Sequence, residues 1–138
     1  MGDRELLLES VEWASENEDV ITLRFYEILF ERYPSVRPLF SRERTAQAKM
    51  LQDAVMAAID HMDDAEWLTE TLGALGAQHV DYGVEDEMYP WVGECLVAAL
   101  AEQCGDRWTD AHQDAWVRTY GALQSLALAG AARRRAST

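Results

Sequence analysis

Apolar residues return every three or four positions along almost the whole chain, and no stretch alternates apolar and polar residues between hairpin turns. That periodicity confines the fold to packed helices. Leu7, Val11 and Ala14 mark a first helix. Leu23, Tyr26, Phe30 and Tyr33 mark a second, and with Ile21, Phe25, Ile28 and Leu29 beside them it should be buried on most sides. Pro34 ends it, and Pro38 should keep Ser35 to Phe40 short and irregular. A third helix carries Gln47, Leu51, Ala54 and Ala58 on one face, with Val55, Ile59 and Met62 alongside. The acidic run from Asp60 to Glu66 marks a turn and a restart. Leu68, Leu72, Leu75 and His79 share the next face, and Gly83 supplies its C-terminal stop.

Pro90 suits the first turn of a helix whose face runs Tyr89, Val92, Leu96 and Ala99, and Gly105 ends it. Thr109 is the expected N-cap of a last helix bearing Trp116, Tyr120, Leu123 and Ala127. Arg133, Arg134 and Arg135 at its far end complement the helix dipole. The pattern predicts an all-α chain of about six to eight helices. Its 138 residues suit one domain, 1–138, with 131–138 expected as a frayed tail.

Charge narrows the function. Twelve basic against 25 acidic residues leave −13, which disfavours partners built on phosphate backbones, so no nucleic acid is expected. The uncharged stretch from Gly121 to Ala132 is too short for a membrane span. The acidic Met1-Gly2-Asp3-Arg4-Glu5 start lacks a signal-peptide pattern, and a cytoplasmic protein without membrane contact is expected. Cys95 and Cys104 fall on one helix some 13 Å apart at about 1.5 Å per residue, too far for a disulfide, and are expected as free, partly buried thiols.

Three histidines can be weighed singly. His112, beside Thr109 and Asp110, suits a solvated helix start, and His61, among Asp60, Asp63 and Asp64, an exposed helix end. His79 differs, because Leu75 and Leu72 precede it at helical spacing and Tyr82 follows at three. It is either a satisfied core histidine or a ligand. Glu-x-x-His pairs for a carboxylate-bridged di-metal centre are missing, as are paired Cys and His for zinc, nucleophile elbows and phosphate loops. What remains is one imidazole aimed at an apolar helical interior, with Tyr26 and Gln47 as polar residues on other apolar faces. Iron held by a macrocycle asks for no more than that.

At this point the residues resemble a family. Phe25-Tyr26, Leu29-Phe30, Pro34 and Leu39-Phe40 are similar to the second helix and following corner of bacterial globins. Gln47 with Leu51, Gly76-x-x-His79 with Tyr82-Gly83-Val84, Tyr89-Pro90-x-Val92-Gly93-Glu94-Cys95-Leu96 and Ala115-Trp116-x-x-x-Tyr120-Gly121 continue in order. The set resembles single-domain bacterial haemoglobins and the globin domain of flavohaemoglobins over nearly the whole chain. The resemblance implies a three-over-three globin fold around one haem b (iron protoporphyrin IX), with His79 as the proximal iron ligand. Phe40 would stack on the haem, Tyr26 and Gln47 would be the distal donors to dioxygen, and Leu51 would form the distal wall. Tyr89 would be the proximal-side tyrosine, and Phe25, Leu75, Tyr82, Val84, Val92 and Leu96 would complete the pocket. No residue is assigned as catalytic beyond the distal pair.

Three departures stand out from the family pattern. The stretch from Phe40 to Gln47 is about three residues shorter than in flavohaemoglobins. Arg133 to Arg135 occupy the region where flavohaemoglobins place a glutamate that polarises the proximal histidine. Met50 stands where a basic residue often meets a haem propionate, with Lys49 or Arg44 as possible substitutes. Reversible dioxygen binding is the leading expectation. Nitric oxide dioxygenation, giving nitrate, is the alternative, and it would require a separate reductase. A gas or redox sensor and a haem-free interaction domain are weaker expectations, and a peroxidase lacks a distal imidazole. The oligomeric state is left open.

Overall fold

The computed structural model describes residues 2–16, 23–40 and 43–137; Ile21, counted above in the second helix, lies outside them. Among the described residues every regular element is helical. They are α1 (Asp3–Ala14), α2 (Leu23–Arg32), a 3-10 helix (Pro34–Leu39), α3 (Arg44–Asp60), α4 (Ala65–Asp81), α5 (Met88–Cys104), a short 3-10 turn (Gly105–Arg107) and α6 (Asp110–Ala136). Helices α1, α3 and α4 lie across α2, α5 and α6, a three-over-three sandwich.

Local chemistry explains where the helices begin and stop. Asp64 caps α4 by accepting from the Trp67 amide at 3.0 Å, so the acidic run does restart the chain. Glu43 caps α3 through the Thr45 and Ala46 amides, which hold its carboxyl below the ordinary range. The segment expected to be irregular after Pro34 is instead a 3-10 helix, with Pro34 in its first turn where no amide donor is needed.

The core centres on α5, where Cys95, Leu96, Ala99 and Leu100 are almost completely buried against Leu7, Phe25, Tyr26 and Leu29. Cys95 and Cys104 are free and both fully within this core. Ser10 is buried too, donating to the Leu7 carbonyl and accepting from Trp116 Nε1 at 2.8 Å. Helices α4 and α6 meet through bare backbone. A Cβ on Gly76 would fall 1.8 Å from the Ala127 carbonyl oxygen, and one on Gly130 would fall 2.0 Å from that of Gly73.

Three expectations are corrected. His112 is not a solvated surface residue; only 3% of it is exposed. Its Nδ1 accepts from the Thr109 amide, completing the cap of α6, and its Nε2 reaches Glu9 of α1 at 2.8 Å. Helix α1 covers it, which spacing within α6 does not reveal. Nor does the chain fray from residue 131. Helix α6 continues to Ala136, Ala131 is buried, and Arg134 reaches Asp81 at 3.0 Å. His61 is half-buried rather than exposed, its ring stacked on Trp67 at 3.7 Å.

Candidate functional site

His79 sits in the last turn of α4, held by the backbone at both ends of its residue. Its Nδ1 lies 2.7 Å from the Leu75 carbonyl oxygen, and a carbonyl only accepts, so Nδ1 carries the proton. In the neutral ring that leaves the lone pair on Nε2. Burial pushes its pKa below the ordinary histidine value, opposed by the Leu75 bond, so the ring is neutral near neutral pH. After it, Gly83 takes a positive φ of 89°, and the Val84 amide returns to the His79 carbonyl at 2.9 Å. This is a Schellman close, and only glycine takes its left-handed position without strain.

Around the imidazole stand Tyr89, with ring centroids 6.1 Å apart, and Tyr82, at 5.9 Å. Tyr89 belongs to the interior, but Tyr82 is 59% exposed. Tyr82 is the C-cap residue of α4. The α2 side presents Tyr26, 1% exposed, edge-on to Phe25 at 4.8 Å and to Phe40 at 5.7 Å. Phe30, read above as part of the second helix but not as a site residue, packs on both Tyr26 and Phe40, at 6.0 and 5.5 Å. Its four-residue spacing from Tyr26 was the available signal. Gln47 and Leu51 are half-buried on α3, which packs against α2. Leu75, Val84 and Val92 are half-buried as well, and Leu96 is buried.

Two atoms here are chemically conspicuous. The hydroxyls of Tyr26 and Tyr89 are fully buried without a hydrogen-bond partner among the described residues, a state that costs roughly 1–3 kcal/mol each. Burial raises the Tyr26 phenol to about 12 and also raises that of Tyr89, where Asp86 pushes further and Arg135 opposes. Both stay protonated near neutral pH and are donors there. Among the described residues no group of three or more His, Cys, Asp or Glu could hold a metal ion. A metal bound at His79 would therefore rest on one imidazole, with the remaining ligands supplied by a macrocycle. One Nε2 lone pair, two unpartnered buried phenols and a set of half-buried apolar side chains fit a haem.

A three-over-three helical sandwich carrying such a lone imidazole is the architecture of a globin. The globin family model matches residues 23–126, and the chain belongs to the globin family. It is 33% identical over 127 residues to the flavohemoprotein of Pseudomonas putida, and 35% identical over 113 residues to that of Rhizobium meliloti. Those matches take in 89% and 80% of this chain but 32% and 28% of the relatives, so it spans about a third of their length. Among solved structures it resembles a bacterial globin from Campylobacter jejuni, with a TM-score of 0.80, 27% identity and 95% of each chain covered. It also resembles an engineered carbene transferase from Rhodothermus marinus, with a TM-score of 0.83, 30% identity and coverage of 98% and 94%.

Proposed function

We propose that the chain binds haem b through His79 Nε2 and takes up dioxygen reversibly, with Tyr26 and Gln47 as the donors on the opposite side. The observation that carries this is the Tyr26 hydroxyl, buried, protonated and without a partner among the described residues. A ferrous haem supplies reversible affinity for diatomic gases, and the chain's residues tune it. A partly anionic ligand is stabilised by a donor that is already oriented and dry. Phe25, Phe30 and Phe40 hold the Tyr26 ring, and half-buried Gln47 and Leu51 would complete that side. On the other side the histidine's partner is a backbone carbonyl, a weaker push than a carboxylate would give. That favours holding a ligand intact over cleaving it.

The test is reconstitution with haem, followed by an oxygen titration of the ferrous protein. An intense blue-edge absorption band should form, vanish in His79→Ala, and shift reversibly with oxygen. No band, or a band untouched by His79→Ala, would overturn the assignment.

A second reading, nitric oxide dioxygenation with a separate reductase, is supported by the relatives. Several are flavohemoproteins, and the Rhodothermus marinus protein carries a provisional designation as a nitric oxide dioxygenase. Mixing the oxygenated protein with NO and measuring nitrate over repeated cycles with an added flavin reductase decides it. One stoichiometric turnover without recycling favours the carrier.

A further inference from the structure

The three arginines closing α6 all turn towards α4 or the segment after it. Arg133 lies over Gly73, with a guanidinium nitrogen 2.8 Å from where a Cβ on that glycine would sit. Arg134 pairs with Asp81, in the last turn of α4, at 3.0 Å. Arg135 pairs with Asp86 and also donates to the Val84 carbonyl at 3.2 Å. Val84 is the residue whose amide closes the glycine turn onto the carbonyl of His79, at 2.9 Å. A continuous line of hydrogen bonds therefore runs from α6 through one residue to the histidine, and on from its Nδ1 to Leu75.

We propose that Arg135, seconded by Arg134, is a positioning residue for His79: the end of α6 grips the turn that fixes the histidine's backbone and hence its ring. The proposal rests on His79 being the haem ligand. Stability alone does not account for the arrangement. The Arg134 and Arg135 side chains are 38% and 40% exposed and their carboxylate partners 54% and 60%, and ion pairs so exposed contribute little to folding. Arg135 meets a backbone carbonyl as well as a carboxylate, and the flat guanidinium fork spans both where an ammonium would meet one. The close contact of Gly73 and Gly76 with α6 supplies the stiffness, since the two helix backbones meet there with no side chain between them.

Two measurements test this on the same variants. In the haem-free chain, hydrogen exchange at the Val84 amide should quicken about tenfold or more in Arg135→Ala, while the urea midpoint barely moves. In the ferrous haem-loaded protein, the iron–histidine stretching band should shift or broaden in Arg135→Ala. Arg135→Lys, which keeps the charge but not the fork, should fall between. Arg118→Ala, also on α6 but away from this turn, breaks the pair with Asp3 of α1 and should leave both readouts unchanged. Unaltered Val84 exchange together with an unaltered band in Arg135→Ala overturns the proposal. Equal quickening throughout the protein does so too, since that is general destabilisation. Should His79→Ala still give the absorption band, the ligand assignment fails instead, and the exchange data stand apart from it.

Discussion

At the scale of single residues, the molecule separates groups placed for stability from groups placed at its expense. Tyr26 is of the second kind, because its ring is well packed but its buried hydroxyl meets no partner among the described residues. Tyr26→Phe should therefore leave the haem-free chain as stable as before, or about 1 kcal/mol more so, by urea unfolding. The same change should speed dioxygen release from the haem-loaded protein by about 10- to 100-fold, the worth of one charge-assisted hydrogen bond of roughly 1.5–3 kcal/mol. A large loss of stability, or an unchanged release rate, would contradict this account of the residue. The phenol also sets a pH dependence. Its folded pKa of about 12 lies above the unfolded value of 10.0, so the unfolded chain loses its proton first. Stability should be fully present below about pH 10 and fall as pH rises towards 12. Tyr89 and Tyr120, raised in the same direction by burial, add to the effect. Denaturation midpoints at pH 9 and pH 11.5 should differ less in Tyr26→Phe than in the parent. Tyr26, Gln47 and His79 were legible as candidates because each is a polar residue on an apolar helical face. That the hydroxyls of Tyr26 and Tyr89 lack partners was not, since a partner can come from any element.

Among the elements, the α4–α6 crossing matters most for the site. The Gly73-x-x-Gly76-x-x-His79 spacing puts both glycines within one turn or two of the histidine, and both press on α6 backbone. Gly76→Ala would drive a methyl into the Ala127 carbonyl, so the helices must part. A loss of about 1–3 kcal/mol or more is expected by chemical denaturation, with weaker haem retention. Gly121, in the same helix α6, is the contrasting case. Nothing lies within 4 Å of a Cβ built there, so Gly121→Ala should stabilise by about 0.5–1 kcal/mol through helix propensity alone. Finding the two substitutions equivalent would mean the close crossing is not what holds α4. The restart within the run Asp60 to Glu66, the start at Thr109 and the stops at Gly83 and Gly105 were readable because capping depends on a few adjacent residues. The crossing itself was not, because small residues at spacing three also occur on helices that touch nothing.

For the whole molecule, the basic residues are spent on joining distant segments: Arg24 to Glu102, Arg32 to Glu94, Arg107 to Glu16 and Arg118 to Asp3. The remaining surface is strongly acidic, as the formal charge of −13 requires. Salt weakens these exposed pairs but also screens the general repulsion, and with so large an imbalance the second effect should win. The thermal midpoint should rise between about 10 and 150 mM sodium chloride, and a fall would show that the pairs dominate. The all-α class, the helix faces, the cap at Thr109 and the stops at Gly83 and Gly105 were determined by the sequence itself, because periodicity and capping act over a few residues. Tertiary structure alone decided that His112 is buried and that the final arginines hold the histidine's turn. Glu9 reaches His112 across 103 positions of chain, and Arg135 reaches Val84 across 51. Contacts so remote depend on which face of one helix another element covers, and no local pattern encodes that.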